Sequence, residues 1–303
     1  MERPIRIGTR GSPLALAQAR MVAQALRETH GWSIERIEIV PITTSGDIIQ
    51  DRPLSEIGGK ELWTRELDRC LLDGRTDISV HSMKDVETIR PTDFAIAAML
   101  PRADVRDRLI GGESVEALAQ GARVGTSSPR RKAQLLARRP DLAIVPLRGN
   151  VATRLRKVEK GEADATLLAA AGLDRLGHSE IGAVLRDVLP APAQGAIGVE
   201  VLASNRKVLA SAAAINHAPT FACVMAERAF LAGLGADCRS PVAALAIHDG
   251  AMIRLRAEIL MPDGREFERC DVQFPPEDRN VPGDLARQLL ARASPELRAL
   301  FAG

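Results

Sequence analysis

Val124-Gly125-Thr126-Ser127-Ser128-Pro129-Arg130-Arg131 reads as a β-strand running into a helix, with arginine at the turn. Ser128 is a good N-cap and Pro129 a good first helical residue. The reading repeats at Ile5-Arg6-Ile7-Gly8-Thr9-Arg10-Gly11-Ser12-Pro13 and at Val145-Pro146-Leu147-Arg148-Gly149-Asn150-Val151-Ala152-Thr153-Arg154. A helix N-terminus presents unpaired N–H groups and a partial positive charge, which suit an anion. Arginine adds a planar fork that grips carboxylate or phosphate with two bonds. One such turn is weak evidence. Three of them predict a cleft for a ligand with several negative charges.

Outward from these turns the chain alternates strand and helix. Residues 5–9, 34–42, 77–81 and 94–100 read as strands. A helix follows Ser12 with Leu14, Ala17, Met21 and Ala25 as its apolar stripe. A second covers 62–72 with Trp63, Leu67, Cys70 and Leu71 inward. Residues 43–60, rich in Gly, Ser and Asp, read as a functional loop. A second αβ unit has strands at 124–126, 142–147 and 165–171 and helices from Pro129 and Asn150. Both units are expected to be mostly parallel, doubly wound sheets, which bind ligands at strand carboxyl ends. All three arginine turns lie at such ends.

Residues 191–217 read as a strand and a helix whose owner the sequence leaves open. Beyond Pro219 the texture changes. A helix at 220–231 precedes strands at 242–247, 252–260 and 266–274. His248-Asp249-Gly250 and Pro262-Asp263-Gly264 join these strands as hairpins. With a last helix at 284–293 this predicts a small α+β domain.

Composition excludes several classes. The net charge is +2, so no strong overall field draws in nucleic acid or membrane. Aromatic residues make up 3% of the chain and tyrosine is absent, which removes the stacking platforms of a single-strand binder. No apolar run reaches 18 residues, and no apolar leader is seen at the N-terminus. A soluble, cytoplasmic protein is expected. Cys70, Cys223, Cys238 and Cys270 show no metal-ligand or redox spacing.

Candidate chemistry falls on few residues. Arg10, Arg130, Arg131, Arg148 and Arg154 are the anion candidates; each alone reads equally as a solvated helix-capping arginine, but together they read as a site. Ser12, Thr126, Ser127 and Ser128 can cap helices and donate to a ligand. In His81-Ser82-Met83-Lys84-Asp85, Asp85 follows a strand end facing the same cleft. A carboxylate there can hold a cationic intermediate and relay protons, or simply form a turn. His81 reads as a base or as a hydrogen-bonded filler. Cys238 lies in a glycine-containing loop between Asp237 and Arg239; the arginine favours the reactive thiolate and the aspartate opposes it. Gly58-Gly59-Lys60 lacks the Gly-x-x-x-x-Gly-Lys-Ser/Thr pattern and is no nucleotide loop.

Taken together, these motifs resemble the porphobilinogen deaminase (hydroxymethylbilane synthase) family over essentially the whole chain. Ile7-Gly8-Thr9-Arg10-Gly11-Ser12-Pro13-Leu14-Ala15-Leu16 resembles its opening signature and Val80-His81-Ser82-Met83-Lys84-Asp85-Val86 its catalytic loop. Val124 to Arg131, Leu147 to Arg154 and Ala171-Gly172-Leu173-Asp174-Arg175-Leu176-Gly177 resemble its carboxylate-binding segments. The resemblance implies an α/β fold of two periplasmic-binding-protein-like doubly wound domains, plus a small α+β C-terminal domain with a three-stranded antiparallel sheet. Domain 1 would hold 1–100 and 194–215, domain 2 101–193, and domain 3 216–303.

The implied reaction condenses four porphobilinogen molecules head to tail, with release of ammonia, into a linear tetrapyrrole. A dipyrromethane cofactor, held as a thioether by Cys238, would prime it. The resemblance makes Asp85 catalytic. It gives Lys84, Ser128, Arg130, Arg131 and Arg148 to the cofactor, and Arg10, Ser12, Arg148, Arg154, Arg175 and Gln194 to substrate. Asp47 and Lys60 fall in a loop over the cleft. No metal, nucleic acid or membrane partner is implied, and a monomer is expected. The chain departs from the family pattern at Ala236-Asp237 before the cysteine, at Pro129, and at Trp63, where phenylalanine is usual.

Two competing classes remain open to the sequence. A solute-binding module would use the arginines but leave Asp85 and Cys238 idle. An RNA-binding protein fits poorly with near-neutral charge and few aromatics.

Overall fold

The computed structural model describes residues 3–44, 63–237 and 239–301. In chain order it begins with β1 (Ile5–Arg10), α1 (Pro13–His30), β2 (Ile37–Ile42), α2 (Arg65–Leu72), β3 (Ile78–Ser82) and β4 (Phe94–Met99). Then come β5 (Asp107–Ile110), β6 (Arg123–Gly125), α3 (Pro129–Arg138), β7 (Ala143–Val145), α4 (Val151–Glu159), β8 (Ala165–Ala169), α5 (Ala170–Arg175) and β9 (Ala183–Leu185). The rest is β10 (Ile197–Leu202), α6 (Arg206–Ala213), α7 (Ala218–Leu234), β11 (Val242–Asp249), β12 (Met252–Leu260), β13 (Phe267–Phe274), α8 (Val281–Arg292) and α9 (Pro295–Ala299). By packing, the chain divides into two compact units: residues 1–103 with 195–221, and residues 104–194 with 222–303.

In the first unit the sheet order is β2-β1-β3-β10-β4. β1 runs parallel to β2 and β3, and β10 runs antiparallel to β3 and β4. The Ser12 hydroxyl accepts from Ala15 N at 3.3 Å and Pro13 opens α1, as the sequence predicts. Such a cap contributes ~1 kcal/mol. The helix buries Ala19, Val22 and Leu26 against Ile7, Ile78, Val80, Ile197 and Val199. Each fully buried Leu, Ile or Val contributes about 1.5–3 kcal/mol. The buried stripe is thus one position on from the expected one, and Met21 is exposed. Two further boundaries differ. Residues 34–36 form a 3-10 turn before β2, and α2 begins after Trp63, burying Leu67, Cys70 and Leu71.

In the second unit a sheet of order β7-β6-β8-β5-β9 repeats this plan, with β6 parallel to β7 and β8 and β5 antiparallel to β8 and β9. Strand directions in both sheets are therefore more mixed than a doubly wound pattern suggests. A helix crossover enforces parallel neighbours, whereas β5 and β10 reach their places by other routes and escape that constraint. The same unit holds the antiparallel sheet β11-β12-β13. Gly250 and Gly264 turn its hairpins in the left-handed region, with φ 64° and 74°. Phe230, Leu255, Ile259, Leu285, Leu289 and Phe301 fill its core.

Candidate active site

In the first unit one pocket gathers Arg10, Ser12, Gln18, Trp63, His81, Ser82 and Asp85. Arg10 ends β1, and its guanidinium lies 3.9 Å from the centre of the Trp63 ring, a cation–π contact. Ser12 caps α1, and Ser12, Leu14 and Ala15 bring the first turn of that helix to the pocket lining. Gln18, nearly two helical turns on from Ser12, donates to Ser82 Oγ at 2.8 Å. Asp85 is half-buried and closes a 3-10 turn, Met83–Asp85, that directly follows β3. The pocket thus pairs one cation with one carboxylate.

Behind the pocket wall lies a buried polar chain. His81 Nε2 is 3.0 Å from Glu200 Oε2, and Arg90 donates to both Glu200 oxygens at 2.8 and 3.0 Å. Arg90 also donates to Glu87 at 2.8 Å and to Asp68 at 2.6 Å. Burial pushes the Glu200 carboxyl up, but His81 and Arg90 outweigh it and hold it at about 2. For Asp68 burial wins over Arg90, and its carboxyl is raised.

In the second unit two arginine turns lie side by side, because β6 and β7 are parallel neighbours. Thr126 N donates to Val145 O at 2.9 Å and Ser127 Oγ to Leu147 O at 3.2 Å, tying the turns together. Ser128 caps α3, accepting from Arg131 N, and Asn150 caps α4, accepting from Thr153 N. Gly149 has φ 116°, a conformation few other residues adopt, and Arg154 Nε reaches back to its carbonyl at 3.0 Å. Arg148 and Arg154 are half-buried.

Arg130 and Arg131 are not solvated capping residues. They are 3% and 6% exposed and converge on one carboxylate, Asp107, which is wholly buried. Arg130 Nη2 donates to Asp107 Oδ2 at 2.8 Å, and Arg131 Nη2 donates to Oδ1 at 2.8 Å. Burial raises the Asp107 carboxyl, yet the two guanidiniums carry it well below the usual carboxylate range. The start of α3 thus carries two guanidiniums that share Asp107, and the buried Glu258 of β12 also acts on Arg130.

Gln194 donates to Asp107 Oδ1 at 2.9 Å and to Val105 O at 2.7 Å, so its amide belongs to this buried network. Arg175 ends α5, and its burial, opposed by Asp174, lowers its pKa to about 10. Asp47, Lys60 and Cys238 lie outside the described residues. On either side of Cys238, Arg239 Nη2 donates to Asp237 Oδ2 at 2.8 Å. Among the described residues no cluster of His, Cys, Asp and Glu could hold a metal ion, and no single helix is long and apolar enough to cross a membrane.

Sequence reading missed Asp107, Arg90 and Glu200. Glu200 is a lone charge in an otherwise apolar strand, a weak signal of a buried partner, whereas Asp107 and Arg90 lie among other charged residues that hide them.

Comparison with known proteins gives the family. The family described as "Porphobilinogen deaminase, dipyromethane cofactor binding domain" matches residues 5–210. That described as "Porphobilinogen deaminase, C-terminal domain" matches residues 221–291. The porphobilinogen deaminase of Sphingopyxis alaskensis is 55% identical over 309 residues, covering 99% of this chain and 98% of that one. The porphobilinogen deaminase of Paracoccus denitrificans is 51% identical over 298 residues, covering 96% and 95%. Among solved structures, a methionine binding protein aligns at 10% identity with a TM-score of 0.44, over 70% of this chain and 89% of its own. Matched along nearly its whole length, the chain belongs to the porphobilinogen deaminase family.

Proposed function

We propose that Asp85 is the catalytic carboxylate, and Arg10 the first substrate clamp, of the reaction this enzyme carries out. That reaction is the family's: four porphobilinogen molecules are condensed head to tail, with release of ammonia, into hydroxymethylbilane. The enzyme is a transferase of porphyrin biosynthesis and uses the family's dipyrromethane cofactor.

The observation that carries the assignment is the pocket that holds Arg10 and Asp85 together. Porphobilinogen carries an acetate, a propionate and an aminomethyl group. Arg10, oriented on Trp63, binds a carboxylate, with the Ser12 end of α1 beside it. When ammonia leaves, positive charge develops on the pyrrole. Asp85, half-buried in the same pocket, stabilises that charge and can accept a proton from the pyrrole nitrogen.

The residues present fit a tetra-anionic dipyrromethane. The start of α3 carries two guanidiniums, and the turn before α4 adds Arg148. Lys84, Ser128, Arg131 and Arg148 would hold the cofactor's carboxylates, with Arg130 acting through its buried charge. Arg154, Arg175 and Gln194 would serve the growing chain, and Asp47 and Lys60 the loop above it. When bound, the cofactor supplies the pyrrole carbon to which the first substrate is joined. Cys238 is its attachment point by position in the family pattern. The enzyme is taken to act as a cytoplasmic monomer, where its thiols stay reduced.

Asp85→Asn tests the assignment. It should fold, retain the cofactor mass, and lose turnover by at least ~100-fold; near-normal turnover would remove Asp85 from its role.

A further inference from the structure

Residues of β10 alternate between two faces. Ile197, Val199 and Val201 enter the core under α1. Ala196, Gly198 and Glu200 are the intervening positions, and all three meet the segment that carries Asp85. Met83 N, which opens the 3-10 turn, donates to Ala196 O at 3.1 Å. The Met83 side chain lies on Gly198: a Cβ there would overlap the sulfur and come within 2.9 Å of Cγ. Glu200 holds His81, two residues before Met83. Between Val199 and Glu200 the register with β4 shifts, a feature that re-aims side chains beside active sites.

Met83 is 1% exposed, so a thioether displaced from Gly198 meets packed neighbours rather than solvent. Methionine adapts to irregular gaps, but here the gap is the missing side chain of Gly198. A methyl group at 198 must therefore push Met83, and with it the turn ending at Asp85. We propose that Gly198 is a positioning residue for Asp85, acting through Met83. Its lack of a side chain sets the height of the catalytic turn over β10. Glu200, through His81, fixes the strand end from which the turn departs. The proposal rests on the assignment of Asp85 as the catalytic carboxylate.

The test compares holoenzymes carrying Gly198→Ala, Met83→Ala and both, by kcat and KM for porphobilinogen, with intact mass to verify equal cofactor content. A misplacement near 1 Å at a reacting group lowers rate by ~100-fold. Gly198→Ala should lose about that much kcat with KM changed less than ~3-fold. Adding Met83→Ala should restore part of the lost kcat, because the new methyl then has room. A wild-type kcat in Gly198→Ala, or a double variant no better than Gly198→Ala, overturns the proposal. If Gly198→Ala does not fold, Met83→Ala alone decides: a lowered kcat with KM kept supports positioning, and a wild-type kcat overturns it. Asp85→Asn separates the two levels. If it stays active, the assignment of Asp85 fails; if it is inactive while Gly198→Ala is normal, only the positioning role fails.

Discussion

His81 on β3 and Glu200 on β10, 119 residues apart in sequence, meet at 3.0 Å with side chains 4% and 0% exposed. Glu200 is held at about 2 although burial opposes this, because His81 and Arg90 stabilise its charge. An ionised carboxylate only accepts hydrogen bonds, so Nε2 of His81 carries the hydrogen. The polar chain behind the pocket therefore has a fixed direction of donation: His81 and Arg90 into Glu200.

This fixes a pH dependence. The folded Glu200 pKa lies below its ordinary value of 4.5, so its contribution is present above pH ~4.5 and is lost as pH falls toward ~2. Asp68, raised by burial, takes up a proton earlier in the same descent. Glu200→Gln should lower stability by about 3 kcal/mol at pH 7, since it unbalances a buried ion pair. The gap between the Tm values of wild type and variant should narrow as pH drops from 5 toward 2. A constant gap would mean that Glu200 acts through shape alone.

Asp107 predicts a harsher outcome. Among the described residues it is the one carboxylate to which both Arg130 and Arg131 donate. Asp107→Asn leaves two buried guanidiniums facing a neutral amide. Removing one member of such a group costs about 3–5 kcal/mol. Thermal unfolding should show a large loss of Tm or no soluble protein. A wild-type Tm would mean that the arginines find other anions.

These two carboxylates show where sequence reading ends. Ser12-Pro13, Ser128-Pro129 and Asn150 announce their helix starts locally, and each is found capping as expected. Asp249-Gly250 and Asp263-Gly264 likewise announce their hairpins. Capping and turn signals act over four residues, so they are legible in one dimension. Asp107 and Glu200 are defined by partners 23 to 119 residues away. Asp107 is hidden between Arg106 and Arg108, and the apolar neighbours of Glu200 signal burial without naming a partner. The antiparallel placement of β10 is hidden for the same reason: Ile197 to Leu202 is an apolar run, which fits any interior strand position. Residues 34–36 read as strand because Ile34 and Ile37 mimic strand content, but Ser33 starts a turn.

Trp63 predicts a graded effect on substrate binding. Its ring faces Arg10 at 3.9 Å, and tryptophan is the strongest cation–π partner. Trp63→Phe should weaken the platform slightly and raise KM for porphobilinogen ~2-fold. Trp63→Leu removes the π face, worth ~1 kcal/mol, and should raise KM ~5-fold. In both, kcat should stay within ~2-fold, because Asp85 is untouched. A fall in kcat with unchanged KM would place Trp63 at the reacting ring instead of at the Arg10 clamp.

The flanks of Cys238 bear on how the enzyme acquires its cofactor. Arg239 would favour a thiolate, but its guanidinium donates to Asp237 at 2.8 and 3.2 Å, so the charge is partly neutralised. The wild-type chain should carry an excess mass of two porphobilinogens less two ammonias, and Cys238→Ser should lack it. In chain prepared without cofactor and then given porphobilinogen, Asp237→Ala should gain that mass several-fold faster than wild type, since Arg239 then acts on the thiol unopposed. An equal or slower rate would assign the Asp237 carboxylate to holding the loop in place, through its bonds to the Arg239 backbone N–H and guanidinium. Loss of the mass increase in wild type itself would detach Cys238 from cofactor binding.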